Sequence, residues 1–239
     1  MGKVDRLDKI LANLGYGSRK DIKSLAKQGI IKVDGKIIKD SSFKLDPLIS
    51  KIEVDDEEVF YRKYIYIMMN KPNGVVSSTD DPISETVVDL IEDKYKVFNP
   101  FPVGRLDKDT EGLLILSNDG QLAHRILSPK KHVKKTYYAE IEGIVDEKDI
   151  IKFKEGVYIE EEYKTLPAEL EILESDTISK INLTIVEGKF HQVKRMFQAV
   201  DKKVIYLKRI SMGALKLDES LKLGDYRELT ENEINLLEK

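Results

Sequence analysis

From residue 64 onward the chain is a succession of short apolar β-type runs, at 64–69, 113–117, 136–142, 168–173, 179–186 and 204–210, and several follow one another without a helical segment between them. A parallel strand pair needs a long crossover, usually a helix, whereas an antiparallel pair needs only a turn. The order therefore favours an α+β fold, with a mixed, mainly antiparallel sheet and flanking helices, over a doubly wound parallel sheet. Helices are predicted at 84–93, 119–127, 146–155, 190–200 and 230–238, the last opened by a Thr230/Glu233 capping box.

The first fifty residues read differently. Leu7, Ile10, Leu11 and Leu14 recur at helical spacing over 5–14, and Gly15-Tyr16-Gly17 breaks that helix. Ser18 with Asp21 caps a second helix, which carries Ile22, Leu25 and Ala26 inward and ends at Gly29. Arg19, Lys20, Lys23 and Lys27 cluster along its other side, and Asp34-Gly35 joins two short β-runs into a hairpin. The acidic run Asp55 to Glu58 then reads as a linker, giving domains of 1–60 and 61–239.

Composition narrows the function. The 239 residues carry no Cys, which excludes a disulfide scaffold, a thiolate metal site and a thiol nucleophile. His124, His132 and His191 lack metal-ligand spacing, so no metal is expected. The N-terminal stretch has no signal-peptide core and no apolar run approaches a membrane span, so a cytoplasmic address without membrane contact is expected. No exposed apolar stripe demands a partner, which suggests a monomer. Residues 1–48 hold 11 Lys/Arg and 6 Asp/Glu, while 49–239 hold 29 and 37. A basic N-terminal piece on an acidic body suits contact with a polyanion, because neutralising phosphates releases counterions.

The densest polar segment is Gly104 to Gly120, GRLDKDTEGLLILSNDG. Four readings compete there. It could be a solvated loop before a strand. It could be a calcium loop, although Asn118 stands at position twelve, where such a loop needs a bidentate Glu. Asp107-Lys108-Asp109-Thr110 also resembles the D-x-D-x-T nucleophile motif of haloacid-dehalogenase phosphotransferases, but Pro100, Pro102 and Gly104 disrupt the strand that should precede it. In the fourth reading Asp107 is a lone catalytic carboxylate among basic groups. Such a carboxylate stays ionised and can act on a sugar carbon that develops positive charge. Glycosidases need a second carboxyl acid, whereas rearranging a base on its own sugar releases no external leaving group.

RLDKILANLGYGSRKDIKSLAKQGIIKVDGKII resembles the alpha-L RNA-binding domain, which implies RNA contact through Arg19, Lys20 and Lys23 and the following hairpin. YIYIMMNKPNGVVSSTDDP, FPVGRLDKDTEGLLILSNDGQLAHRILSP, KKTYYAEIEG and IVEGKFHQVKRMFQAVDKKVIYLKRISMGALKL stand in the order found in the RsuA family of bacterial ribosomal RNA pseudouridine synthases. The resemblance implies isomerisation of a flipped-out uridine to pseudouridine without cofactor or metal. It places the family's catalytic Asp on Asp107, its stacking Tyr on Tyr137 and the basic partner of the Asp on Lys194, with Arg195 as the competing partner. Arg105 matches the residue that fills the gap left by the flipped nucleotide. Strand alternation puts Tyr138 on the opposite face from Tyr137. Lys135, Lys189 and His191 are expected RNA contacts, within a wider basic track that includes Lys130, Lys131, Lys134, Lys202, Lys203, Lys208 and Arg209. GKFHQVKRMF is closer to the small-subunit form of the motif than to the large-subunit form, so 16S ribosomal RNA or a small-subunit assembly intermediate is the expected partner. A large-subunit RNA substrate, a non-catalytic assembly factor and a magnesium-dependent phosphohydrolase are the alternatives.

Overall fold

The structure is a computed structural model that describes residues 4–161 and 163–238. The chain divides into two compact units, one formed by Met1–Ile65 with Glu92–Asn99 and the other by Tyr66–Ile91 with Pro100–Lys239.

In the first unit β1 (Asp5–Arg6) pairs with β4 (Lys44–Leu45), and α1 (Leu7–Asn13) and α2 (Arg19–Gln28) pack on a small antiparallel sheet. That sheet has the order β3-β2-β5-β6, from β2 (Ile31–Val33), β3 (Lys36–Ile37), β5 (Ile52–Val54) and β6 (Glu57–Val59). Leu7, Ile10, Leu11, Ile22, Ala26, Ile31 and Ile52 form its core. Ser18 and Asp21 make the reciprocal capping box, Gly29 closes α2 at φ 77°, and Asp34 and Gly35 turn the first hairpin at φ 50° and 74°. The acidic run is not a linker. Asp55 and Asp56, at φ 54° and 63°, turn the β5–β6 hairpin, a conformation that Asp tolerates because its short side chain can bond local backbone.

The second unit is built on a sheet of order β13-β14-β10-β15-β9-β7-β17. Its members are β7 (Tyr66–Lys71), β9 (Glu111–Ser117), β10 (Lys135–Glu142), β13 (Glu169–Glu174), β14 (Ile178–Ile185), β15 (Lys203–Met212) and β17 (Tyr226–Glu228). β8 (Phe101–Val103) adds to β9, β16 (Leu215–Lys216) to β15, and β11 (Tyr158–Glu160) pairs with β12 (Tyr163–Lys164). Among the described strand pairs only β9 and β15 run parallel, so the sheet is mixed and mainly antiparallel. Every residue of β9 is buried, as its LLIL run requires of a strand covered on both faces. One face carries α4 (Gly120–Leu127), whose Leu122, Ala123 and Ile126 pack with Met68, Leu113, Ile115 and Met212. Elsewhere Phe153 of α5 (Glu147–Glu155) meets Phe197 of α6 (Gln192–Gln198) edge-on at 5.0 Å. α7 (Glu231–Leu236) opens with the Thr230/Glu233 box. None of the described helices is long and apolar enough to cross a membrane.

The helix expected at 84–93 is absent. The Thr86 N–H and hydroxyl both donate to Asp89, and Val76 bridges Thr86, so side-chain bonds compete with helical ones. A short α3 (Asp93–Lys96) follows, in a segment that groups with the first unit. α6 begins at Gln192 rather than 190, because His191 adopts φ 50°. β8 forms despite Pro102, antiparallel to β9.

Two features hold the turn that carries Asp107. Lys71, fully buried at the end of β7, donates to the carbonyls of Pro72 at 3.0 Å, Lys108 at 3.2 Å and Thr110 at 2.9 Å. Gly112, at φ 100°, lets β15 approach β9 so closely that an added Cβ would lie 2.3 Å from the Arg209 carbonyl oxygen. Gly112→Ala is expected to lower stability by about 3 kcal/mol or more, read by urea denaturation. Burial pushes the Lys71 ammonium down to about 8. Above that pH the unfolded chain holds a proton that the folded chain has lost, so this group makes stability rise with pH until the solvated lysine itself titrates. Lys71→Met should remove up to about 1.4 kcal/mol per pH unit of that slope between pH 8 and 10.

Candidate active site

Asp107 sits in the turn between β8 and β9, where its carbonyl accepts from the Thr110 N–H at 3.1 Å. The Ser77 hydroxyl donates to the Leu106 carbonyl at 3.0 Å and accepts from the Leu106 N–H at 3.1 Å, so the backbone just before the carboxylate is held on both sides. Lys194, on the first turns of α6, faces this turn. Its Nζ lies 3.1 Å from Asp107 Oδ2 and 2.5 Å from Asp109 Oδ1, while His191 Nε2 stands 3.7 Å from Asp107 Oδ1. Burial lowers the Lys194 pKa, but hydrogen bonds and charge from the two carboxylates outweigh it, and the net shift is upward. At Asp109 burial acts upward, and Lys194 overcomes it to leave the carboxyl below its ordinary range. The ion triad is therefore mutually stabilising, and the Asp107 carboxylate meets one ammonium, that of Lys194, among the described residues.

Arg195 does not reach this cluster. Its Nη1 donates to the Phe190 carbonyl at 3.4 Å and its Nη2 to the Ile159 carbonyl. Lys194 is the basic group that meets Asp107.

Tyr137 enters from β10. A register shift between Thr136 and Tyr137 in the β10–β15 ladder marks a bulge, a device that re-aims a strand side chain. Tyr137 is buried, whereas Tyr138 faces the other way and meets Tyr206 edge-on at 6.0 Å. Asp107, Tyr137, Arg105, Lys189 and His191 line one hollow of about 80 Å³, whose remaining walls include Leu106, Ile185, Val193 and Leu207. It combines apolar walls, the aromatic rings of Tyr137 and His191, and one carboxylate. A wider groove of about 790 Å³ opens from it past Arg105, Lys108, Lys189 and Phe190. Arg105 is exposed at its edge.

The 187–192 segment is braced from within. Buried Gln192 accepts from the Lys189 N–H at 2.8 Å and donates to Glu187 at 2.8 Å. Lys189 Nζ lies 4.3 Å from the centre of the Tyr163 ring, and half-buried Lys135 donates to the Val133 carbonyl at 3.1 Å. Arg19, Lys20 and Lys23 are exposed on α2 of the first unit, outside this cluster.

Several residues of the site escaped sequence reasoning. Asp109 is legible as the second acid of the D-x-D-x-T pattern, but its sharing of Lys194 with Asp107 is not. Phe190 is 71% exposed and stacks on His191 with ring centres 3.8 Å apart. Lys71 at the end of an apolar run was the one available signal for the buried ammonium under the turn. The antiparallel setting of β8, together with two carboxylates turned onto one ammonium, leaves neither the phosphotransferase nor the calcium geometry.

A family model described as RNA pseudouridylate synthase matches residues 65–199, and an S4 domain model matches residues 5–47. The chain is 55% identical to the uncharacterized RNA pseudouridine synthase YtzG of Bacillus subtilis, over 97% of this chain and 98% of that one. It is 42% identical to ribosomal small subunit pseudouridine synthase A of Vibrio parahaemolyticus, over 96% of this chain and 98% of that one. It is 38% identical to ribosomal large subunit pseudouridine synthase B of Bacillus subtilis, over 98% and 96%. A crystal structure of a pseudouridylate synthase, 39% identical, superposes with a TM-score of 0.69 over 98% of this chain and 99% of that one. The chain belongs to the RsuA-type family of RNA pseudouridine synthases, with an S4 domain preceding its synthase domain.

Proposed function

We propose that this enzyme isomerises one uridine of 16S ribosomal RNA to pseudouridine, with Asp107, Tyr137 and Lys194 as its catalytic residues. The observation that carries the reading is the hollow that brings the Asp107 carboxylate, backed by Lys194, to the Tyr137 ring. A duplex or stacked loop would deny access to the sugar carbon, so the target nucleotide turns out of the stack and its base enters the hollow. Arg105 at the rim takes the vacated place, stacking its guanidinium where the uracil was. Tyr137 packs on the flipped ring, and Leu207 and Ile185 close the apolar sides.

The chemistry needs one carboxylate. The N1–C1′ bond breaks as Asp107 acts on the sugar, either by adding to C1′ or by drawing a sugar proton to give a glycal. The detached uracil anion turns within the hollow, and C5 bonds to C1′ as the Asp107–C1′ bond breaks or, on the glycal route, as Asp107 returns the sugar proton. The C5 proton then leaves and N1 takes up a proton. The Tyr137 hydroxyl takes part in that transfer. Lys194 keeps an ammonium beside the carboxylate through both bond changes, and Asp109 holds Lys194.

The small-subunit substrate is favoured by two observations. The GKFHQVKRMF segment has the small-subunit form, and small-subunit relatives reach 42% identity. The large-subunit enzyme at 38% makes 23S RNA the second reading. The basic module at residues 1–60 adds grip on RNA through Arg19, Lys20 and Lys23, with Lys135, Lys189, His191 and Arg195 lining or bracing the path at the synthase domain. The enzyme acts as a cytoplasmic monomer on free RNA or on an assembling small subunit.

Wild type should release tritium from 16S RNA made with 5-tritiated uridine, because forming the C5–C1′ bond expels that hydrogen. Asp107→Asn should release none while binding RNA as tightly. Turnover by Asp107→Asn near the wild-type rate would end the proposal. Release from 23S RNA alone would move the substrate to the large subunit, and chelator-sensitive activity would favour phosphohydrolysis. Replacing Arg19, Lys20 and Lys23 together by Gln should weaken RNA binding and reduce the slope of log affinity against log salt by about 2, as expected for the loss of up to three phosphate contacts. Filter binding from low to moderate salt measures it.

A further inference from the structure

Beside the hollow that holds Asp107 lies a second cavity of about 440 Å³, whose walls include Arg105, Lys135, Tyr137, Glu187, Lys189 and Arg209. Arg209 is 2% exposed. Its Nε donates to the Leu113 carbonyl at 2.8 Å, and its Nη2 has no hydrogen-bond partner among the described residues. Lys135 stands two residues from Tyr137, the cross-strand partner of Arg209, and burial followed by the Arg209 charge pushes its ammonium down to about 8. A buried guanidinium and a half-buried ammonium therefore line one space and repel each other.

Glu187 is the one acid among the described lining residues, and its carboxylate is already engaged by the Tyr163 hydroxyl, the Leu166 N–H and the Gln192 amide. The cavity thus holds more positive charge than its own acid neutralises. A buried guanidinium with an unmet donor is costly unless an anion completes it. Arginine's planar donors suit the paired oxygens of a phosphate. The cavity shares Arg105, Tyr137, Gly188 and Lys189 with the Asp107 hollow, so a nucleotide whose base fills the hollow has its backbone at the boundary between the two.

We propose that this second cavity is a phosphate subsite, in which Arg209 and Lys135 bind a backbone phosphodiester adjoining the flipped uridine. The proposal rests on the RNA-modifying reading above and adds a charged anchor that draws the target nucleotide into the hollow.

Short RNA substrates spanning the modified uridine, each carrying one neutral methylphosphonate within two nucleotides of it, test the assignment. One replacement should raise KM for the wild type about tenfold, with kcat little changed, as expected for losing one charge-assisted contact. The same replacement should change KM less than about twofold in Arg209→Gln or Lys135→Gln, where the partner charge is already reduced. Should Arg209→Gln fail to fold, Lys135→Gln reads the same coupling. Equal penalties in wild type and variants at every linkage overturn the proposal.

Absence of tritium release by the wild type from any ribosomal RNA would instead remove the enzymatic reading, and inorganic sulfate then probes the cavity alone. A saturable rise in melting temperature for the wild type but not for Lys135→Gln supports an anion site; no difference overturns it. A sulfate-dependent rise beside a flat methylphosphonate scan assigns the cavity to a free anion and overturns the phosphodiester assignment.

Discussion

The Lys71 ammonium has no exposure to water and takes its partners from three carbonyls, two of which, those of Lys108 and Thr110, belong to the turn that carries Asp107. Charge buried in this way is tolerated only where the surrounding oxygens are fixed, so the lysine and the turn specify each other. Gly112 extends the constraint into the sheet, because its missing Cβ lets the Arg209 backbone close on the start of β9. Leu106 is fastened by Ser77 on the other side. The Asp107 carboxylate thus hangs from a backbone fixed at three points, and only its side chain is left to be positioned by Lys194.

That last step is electrostatic and local. Several ion pairs among the described residues join exposed side chains, such as Lys180 with Glu174 or Lys134 with Glu169, and pairs of that kind contribute little. The Lys194 cluster is partly withdrawn from water, and two carboxylates there outweigh the burial of one ammonium. Asp109 matters because it keeps Lys194 charged and aimed whatever occupies the hollow. Around this anionic centre the groove is lined by Arg105, Lys108 and Lys189 beside Asp81 and Asp107, so a body that is acidic in total gathers cations along this groove.

What the sequence discloses is what neighbours along the chain decide. The Ser18 cap, the Gly29 stop and the Asp34-Gly35 turn each depend on two to four residues and have the conformations their spacing predicts. Strand alternation separates Tyr137 from Tyr138 for the same reason. The errors are of two kinds. Asp55 to Glu58 and residues 84–93 were misread because acids that look like a solvated linker make a hairpin turn, and a plausible helix yields to Thr86 and Asp89 bonding each other. The other omissions are non-local. Asp109 meets Lys194 across 85 positions, and Lys71 meets Thr110 across 39, so no window along the chain contains the signal. Strands of two or three residues, such as β11, β12 and β16, are too short to carry a period.

Under the proposed function Asp107 is the group that changes RNA, and one uridine of the small-subunit RNA is where the change is found. The most direct measurement is to delete the coding gene, map pseudouridines at nucleotide resolution in both ribosomal RNAs, and complement with wild type or Asp107→Asn. The account predicts that one 16S pseudouridine disappears, returns with the wild type and stays absent with Asp107→Asn. Return of that pseudouridine with Asp107→Asn, or unchanged maps in both RNAs after deletion, would contradict it.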